Sequence, residues 1–275
     1  MAVRLAGVHH WQWLGVAGAA ATSLLSATSA HARVGIRPLF EPTDLQLEQP
    51  GIVDFDFQLG LIRGRDPWRI VVPDFEFNFG FLRNVELDLD GTYALEGNSS
   101  SPFVQSHAVP DALWPSVKVG LFDWFDQELS RAWALGFQVG PKLPIARGSS
   151  GIGIEGLALL GLLFHGSHFV LNTGMLADPH ASPGESRPFG VELGLDIHTP
   201  LDKDDTYAFI GELAAVHFFS PDPHQLLTTA GLNYSPFSYL DLSAVALVGW
   251  LNGSDRYGLL LGVTPKLRWL GTAKK

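Results

Sequence analysis

Cysteine is absent from the 275 residues. Without it no disulfide framework can hold the chain, and thiolate metal sites and cysteine nucleophiles are excluded too. Charge is sparse: only 17% of residues are Asp, Glu, Lys or Arg, against about 25% in an average soluble domain. That charge leans acidic, to a net of −10, which argues against nucleic acid as a partner. Beyond residue 32 no run reaches the roughly 20 apolar residues of a membrane-crossing helix. Yet 46% of the chain is hydrophobic. A closed β-barrel is the other structure that satisfies every backbone polar group in lipid, so these absences leave the barrel as the solution.

The first residues read as an export signal. Arg4 supplies a positive start, with His9 and His10 behind it, and an apolar, Ala-rich run covers about 11–25. Small residues then lead into Ala30-His31-Ala32, a site of the kind signal peptidase cuts, which would leave Arg33 as the mature start. Residues 33–51 carry Pro38, Pro42 and Pro50, which argue against regular structure. They read as a periplasmic leader, with a lumen-entering plug the alternative that so short a piece suits less, ahead of a barrel over 52–270 and a tail over 271–275. The expected location is the outer membrane, with membrane lipid and the outer-membrane assembly machinery as partners.

The decisive signal is period-two alternation. Val53-Asp54-Phe55-Asp56-Phe57-Gln58-Leu59, Asp74-Phe75-Glu76-Phe77-Asn78-Phe79 and Val85-Glu86-Leu87-Asp88-Leu89-Asp90 each alternate apolar with polar residues. In a strand, alternation gives one apolar and one polar face. The pattern yields twelve candidate strands: 52–63, 69–82, 84–96, 113–124, 131–143, 151–164, 167–177, 187–199, 205–219, 224–235, 237–250 and 255–270. Their length suits tilted membrane strands, which need about 9–11 residues, better than sandwich strands of about 5–6. The fold class is therefore all-β, a transmembrane antiparallel up-and-down β-barrel of about 12 strands. Pro73 and Pro265 each remove a ladder donor and predict a local bulge or break. In 151–164 and 205–219 both faces look apolar, and the pattern assigns neither to the lumen.

Connections and aromatic residues support the barrel. With both termini periplasmic, odd-numbered connections should be the long, outward ones. The third (97–112) and seventh (178–186) are long, while the second (at Arg83-Asn84), sixth (at His165-Gly166) and tenth (near Pro236) are tight. The fourth (125–130) and eighth (200–204) run longer than the rule prefers, and the eleventh, a hairpin signal at Asn252-Gly253-Ser254, is short for an outward one. Trp68, Tyr93, Trp114, Trp124, Trp250, Tyr257 and Trp269 fall near strand ends, as interfacial girdles do. An apolar final strand ending at Trp269 is the kind of segment that assembly machinery reads.

The unusual chemistry is acidic. Asp54, Asp56, Asp74, Glu76, Glu86, Asp88 and Asp90 all fall on the polar face of the first three strands. In lipid such charges are unfavourable, so this face points into the lumen. One reading is a solvated wall balanced by Lys118, Lys142, Lys266 and Arg268, the last two on the strand that closes the barrel beside Asp54 and Asp56. The other is a selectivity surface for cations or polar solutes, as charged rings provide in channels. His165, His168, His180, His217 and His224 follow no metal-ligand spacing, so no metal is expected. No G-x-S-x-G or other nucleophile context occurs, so neither catalytic residues nor a cofactor are expected.

The run Ala230-Gly231-Leu232-Asn233-Tyr234-Ser235-Pro236-Phe237-Ser238-Tyr239-Leu240-Asp241-Leu242-Ser243, followed by Trp250-Leu251-Asn252-Gly253-Ser254-Asp255, resembles the outer-membrane transporters of the phenol-degradation MetA-pathway family. Phe40-Glu41-Pro42 and Pro50-Gly51 ahead of the first strand are similar as well. The resemblance implies uptake of small, often aromatic or apolar solutes through a channel or porin, and carries over no binding or catalytic residue. The alternative is a structural or adhesion barrel whose lumen is closed by side chains.

Overall fold

The computed structural model describes residues 47–64, 68–97, 107–110, 112–126, 131–145, 149–180 and 187–268. The cleavage site at Ala30 and Ala32, leader residues 33–46, Trp269 and the tail lie outside the described residues. The strands are β1 (Ile52–Arg63), β2 (Trp68–Leu82), β3 (Val85–Glu96), β4 (His107–Pro110), β5 (Trp114–Asp126), β6 (Arg131–Lys142), β7 (Gly153–Phe164), β8 (Ser167–Ala177), β9 (Phe189–Pro200), β10 (Tyr207–Phe218), β11 (Gln225–Phe237), β12 (Leu240–Gly249) and β13 (Tyr257–Arg268).

Twelve of them form a closed antiparallel barrel. Each pairs with its sequence neighbour, and β1 pairs with β13 from Ile52↔Arg268 to Arg63↔Tyr257, which closes the ring. Closure removes the unpaired edges that lipid would not tolerate. The short β4 is an addition the sequence did not signal. It lies in the Ser- and Pro-containing third connection and pairs with Tyr93–Glu96 of β3, whose first half pairs with β5. β4 thus extends the β5 side of the ladder toward the end away from the termini.

We call the end where β1 starts and β13 finishes the terminal end, and the other the distal end. Terminal-end connections are short at 83–84, 165–166 and 238–239 and longer at 127–130 and 201–206, while distal ones run over 143–152, 178–188 and 250–256 with a short one at 64–67. The turn at 165–166 has both residues at positive φ, His165 at 51° and Gly166 at 84°, as a two-residue hairpin loop requires. Two expectations shift here. The tenth turn is at 238–239, because Ser235-Pro236 is taken up as an irregularity in the β11–β12 register between Tyr234 and Phe237. The eleventh connection is longer than its Asn252-Gly253-Ser254 core.

Pro73 does break register: pairing shifts beside it between Gln58 and Gly60 on β1 and between Val71 and Asp74 on β2. Pro265 interrupts the ladder without shifting it: it pairs with Leu240 at the start of β12, but the β1–β13 pairing skips Pro265 and Thr264 and resumes in the same register.

The outer face is a belt of exposed apolar side chains, including Leu59, Phe81, Leu121, Leu193, Leu232, Leu259 and Leu261. Such a continuous surface belongs in hydrocarbon. Trp124, Trp250 and Tyr257 stand exposed near strand ends, as a girdle would. Trp114 does not. It is 3% exposed, points inward, and donates its indole N–H to the Gly140 carbonyl at 3.2 Å.

Candidate functional site

The inward faces divide the lumen into layers. Toward the distal end apolar side chains from many strands pack together, beside the buried Lys142, Glu155 and Asp178. Ile62, Val71, Leu227, Leu247 and Leu260 form one cluster. Trp114, Leu157 and Leu159 form a second, and Leu176, Val216 and Phe218 a third. This resolves the ambiguous segments. In β7 the odd positions Leu157 and Leu159 go in, while Ile154 and Leu162 are exposed to the outside. In β10, Ala208, Ile210, Val216 and Phe218 go in, while Phe209 and Leu213 face out. Both faces are apolar because one meets lipid and the other meets packed lumen.

The terminal half is different. A cavity of about 640 Å³ is lined by polar groups of β1, β2, β3, β5, β8, β9, β11, β12 and β13, by Glu48, and by Asp204, Asp205 and Ser238 in terminal-end turns. The acidic wall borders it, but not as one solvated sheet. In register, Asp54 faces Asn78 and then Asp88, and Asp56 faces Glu76 and then Asp90. Asp54, Asp56 and Glu86 line the cavity. Asp74, Glu76, Asp88 and Asp90 are all under 9% exposed and stand outside its lining. Thr92 donates to Asp74 at 2.6 Å, and Gln138 donates to Asp88 at 2.9 Å.

The expected basic partners separate. Lys118 binds Glu86 at 2.7 Å. Lys266 lies 3.5 Å from Asp54 and 3.3 Å from Asp241. Lys142 does not balance the wall. It sits at the distal end and bridges Glu155 at 3.0 Å and Asp178 at 2.6 Å, because an inward side chain pairs only with groups at its own height. Arg268 faces Ile52 in the register and is exposed at the terminal rim.

Several lumenal groups escaped the sequence reading. Asn172 donates to Asp196 at 2.9 Å, and Asp196 faces Glu212 across β9 and β10. The alternation Glu192-Leu193-Gly194-Leu195-Asp196-Ile197-His198 carries the same signal as β1, so it could have shown Glu192, Asp196 and His198. His198 lies 3.1 Å from Asp205 and edge-on to His168 at 5.9 Å. Among the described residues no three His, Asp or Glu side chains converge as a metal site would require.

The leader also departs from expectation at its end. Glu48 lines the cavity at the terminal mouth, while Gln49 and Pro50 are exposed. The Glu48 backbone N–H donates to the Glu86 carboxylate. A methyl group at Gly80 would stand 2.3 Å from the carbonyl oxygens of Glu48 and Gln49, so only glycine admits the segment there. Burial, and then the Asp54 carboxylate beside it, push the Glu48 carboxyl up to about 7.

No protein family and no curated protein matches the chain. Among solved structures it aligns with an outer-membrane channel from Pseudomonas putida F1 at a TM-score of 0.57 and 10% identity, over 82% of this chain and 99% of that one. The fold is that of an outer-membrane β-barrel. The chain also aligns with the translocator domain of the autotransporter NalP from Neisseria meningitidis at a TM-score of 0.40 and 10% identity, over 81% of this chain and 91% of that one. That likeness is too distant to carry an argument. The closed hoop and the apolar belt of this barrel give it an outer-membrane location, in contact with lipid.

Proposed function

We propose that the barrel is a passive channel for small apolar or aromatic solutes. The observation that carries this reading is the layered lumen: a polar vestibule at one end, backed by an apolar layer. That layer is built from single side chains of many strands. An apolar constriction excludes ions by dewetting, while an apolar solute partitions into it. The resemblance of 230–255 to the MetA-pathway transporters supports the same solute class. The proposed route runs from the distal loops, through the apolar layer, into a vestibule that faces the periplasm. The exported precursor would be cut after Ala32 and inserted by the assembly machinery that reads β13. Transport of this kind needs no catalytic residue and no cofactor.

One observation favours the alternative of a closed structural barrel. Leu159, Leu227, Leu247 and Leu260 are each 1% exposed, as in a packed core. Uptake separates the two. Cells carrying the protein should take up phenol faster than an isogenic deletion strain, and purified protein in planar bilayers should pass little ionic current. Equal uptake in the two strains would remove the channel reading.

A further inference from the structure

The vestibule has hydrogen-bonding capacity of one sign left over. Its two lysines are engaged, Lys118 with Glu86 and Lys266 with Asp54 and Asp241. Two acceptor oxygens on β1 are left over, although the other oxygen of Asp54 is held by Lys266. The Gln58 side chain is 2% exposed, lines the cavity, and its Oε1 accepts no hydrogen bond. Asp54 is 6% exposed and lines the same cavity, and its Oδ1 accepts none either. Leaving a buried acceptor unpaired is unfavourable by roughly 1–3 kcal/mol, more for a charged one.

Their spacing narrows the ligand. Residues 54 and 58 are four apart on one strand, so their backbones stand about 13 Å apart at the usual rise. Between them on the same face lies Asp56, also in the cavity lining. One small ammonium cannot reach both ends of this row. Val170 and Ile210 add apolar surface to the lining. A wall of spaced acceptors beside apolar patches matches a chain that alternates N–H donors with methylenes.

We propose that the vestibule binds a linear polyammonium, a diamine or triamine lying along β1 from Asp54 to Gln58. Anions are disfavoured there, since both lysines are already paired and the other charged groups around them are carboxylates. The site goes beyond solute passage, because it can hold its ligand whether or not anything crosses the barrel.

Calorimetry on the barrel extracted from outer membranes in detergent tests this, with spermidine, 1-aminoheptane and Mg²⁺ as probes. Spermidine should bind one-to-one and at least tenfold more tightly than either other probe. Gln58→Leu should weaken spermidine about tenfold, the loss expected for one hydrogen bond to a charged group, with 1-aminoheptane little changed. Gln58→Glu should strengthen spermidine, which keeps the proposal testable if the leucine variant does not fold. A heat-modifiable gel shift reports the folded barrel in each case. Equal binding of Mg²⁺ and spermidine would reduce the site to diffuse negative charge. No heat from spermidine, or no effect of either Gln58 variant, would overturn it. Because the assay needs no bilayer, its outcome is separate from that of the phenol uptake experiment.

Discussion

Lys118 on β5 and Glu86 on β3 stand directly opposite in register and close a 2.7 Å ion pair inside the lumen, both nearly inaccessible to solvent. The two strands are joined through the long third connection, so the pair ties distant parts of the sequence. Removing one partner leaves a buried charge without its counterion. Lys118→Met alone should therefore destabilise the barrel by about 3–5 kcal/mol. Adding Glu86→Leu should recover most of that loss, since a well-packed apolar pair is often neutral in place of a buried ion pair. Urea unfolding of the two variants measures both effects, and a double variant as weak as the single one would contradict the assignment.

The vestibule predicts which carboxylates an ion senses. Asp54 and Asp56 line the cavity, whereas Asp88 is covered by Gln138 and Ser116. Whatever residual current the barrel carries should lose cation preference in Asp54→Asn and Asp56→Asn and keep it in Asp88→Asn. Reversal potentials in a salt gradient give the comparison. A shift of equal size in all three would mean that the wall acts as one distant field.

The apolar layer predicts the opposite kind of change. Leu260 is 1% exposed and packs with Leu227 and Leu247 across β11, β12 and β13. Leu260→Ala removes three carbons from this layer, at about 2–5 kcal/mol in stability. Ionic conductance should rise above the wild-type level if the layer is the barrier. Unchanged conductance in a folded variant would place the barrier elsewhere.

Residues 47–50 should respond to pH. The Glu48 carboxyl is raised from 4.5 to about 7 in the mouth. Its neutral form is the one the docked state favours, so docking is fullest below about pH 4.5 and weakens as pH rises through about 7. A thiol label at Gln49→Cys should become more accessible between pH 5 and pH 8. Glu48→Gln should flatten that profile.

The lipid face offers a control on orientation. Leu261 is 54% exposed at mid-strand on β13. Leu261→Arg should cost about 2–4 kcal/mol if that position lies near the bilayer midplane, and refolding yields into vesicles would show it. An unaffected yield would argue that this face is not in hydrocarbon.

The wall of the barrel was legible because alternation is a local property. β1 and β8 run over the same residues, 52–63 and 167–177, that the pattern marks, and the remaining barrel strands differ by a few residues at their ends. Faces were legible wherever one was polar. They were lost in β7, where Leu157 and Leu160 look alike in sequence but one enters the lumen and the other faces lipid. Height and angle around the barrel were not legible at all. That is why Lys142 was grouped with the wall although its partners are Glu155 and Asp178, and why Trp114 read as girdle. The inward turn at Glu48 was hidden too, since it depends on a glycine on another strand, Gly80, that leaves room for it.

The Glu48 backbone sits in the lumen while Ile52, four residues later, is already part of the wall. A bulky group joined directly ahead of Leu47 would thereby be leashed to the terminal opening on a very short tether, graded in its obstruction by its size. A label joined to a distal loop would leave that opening clear.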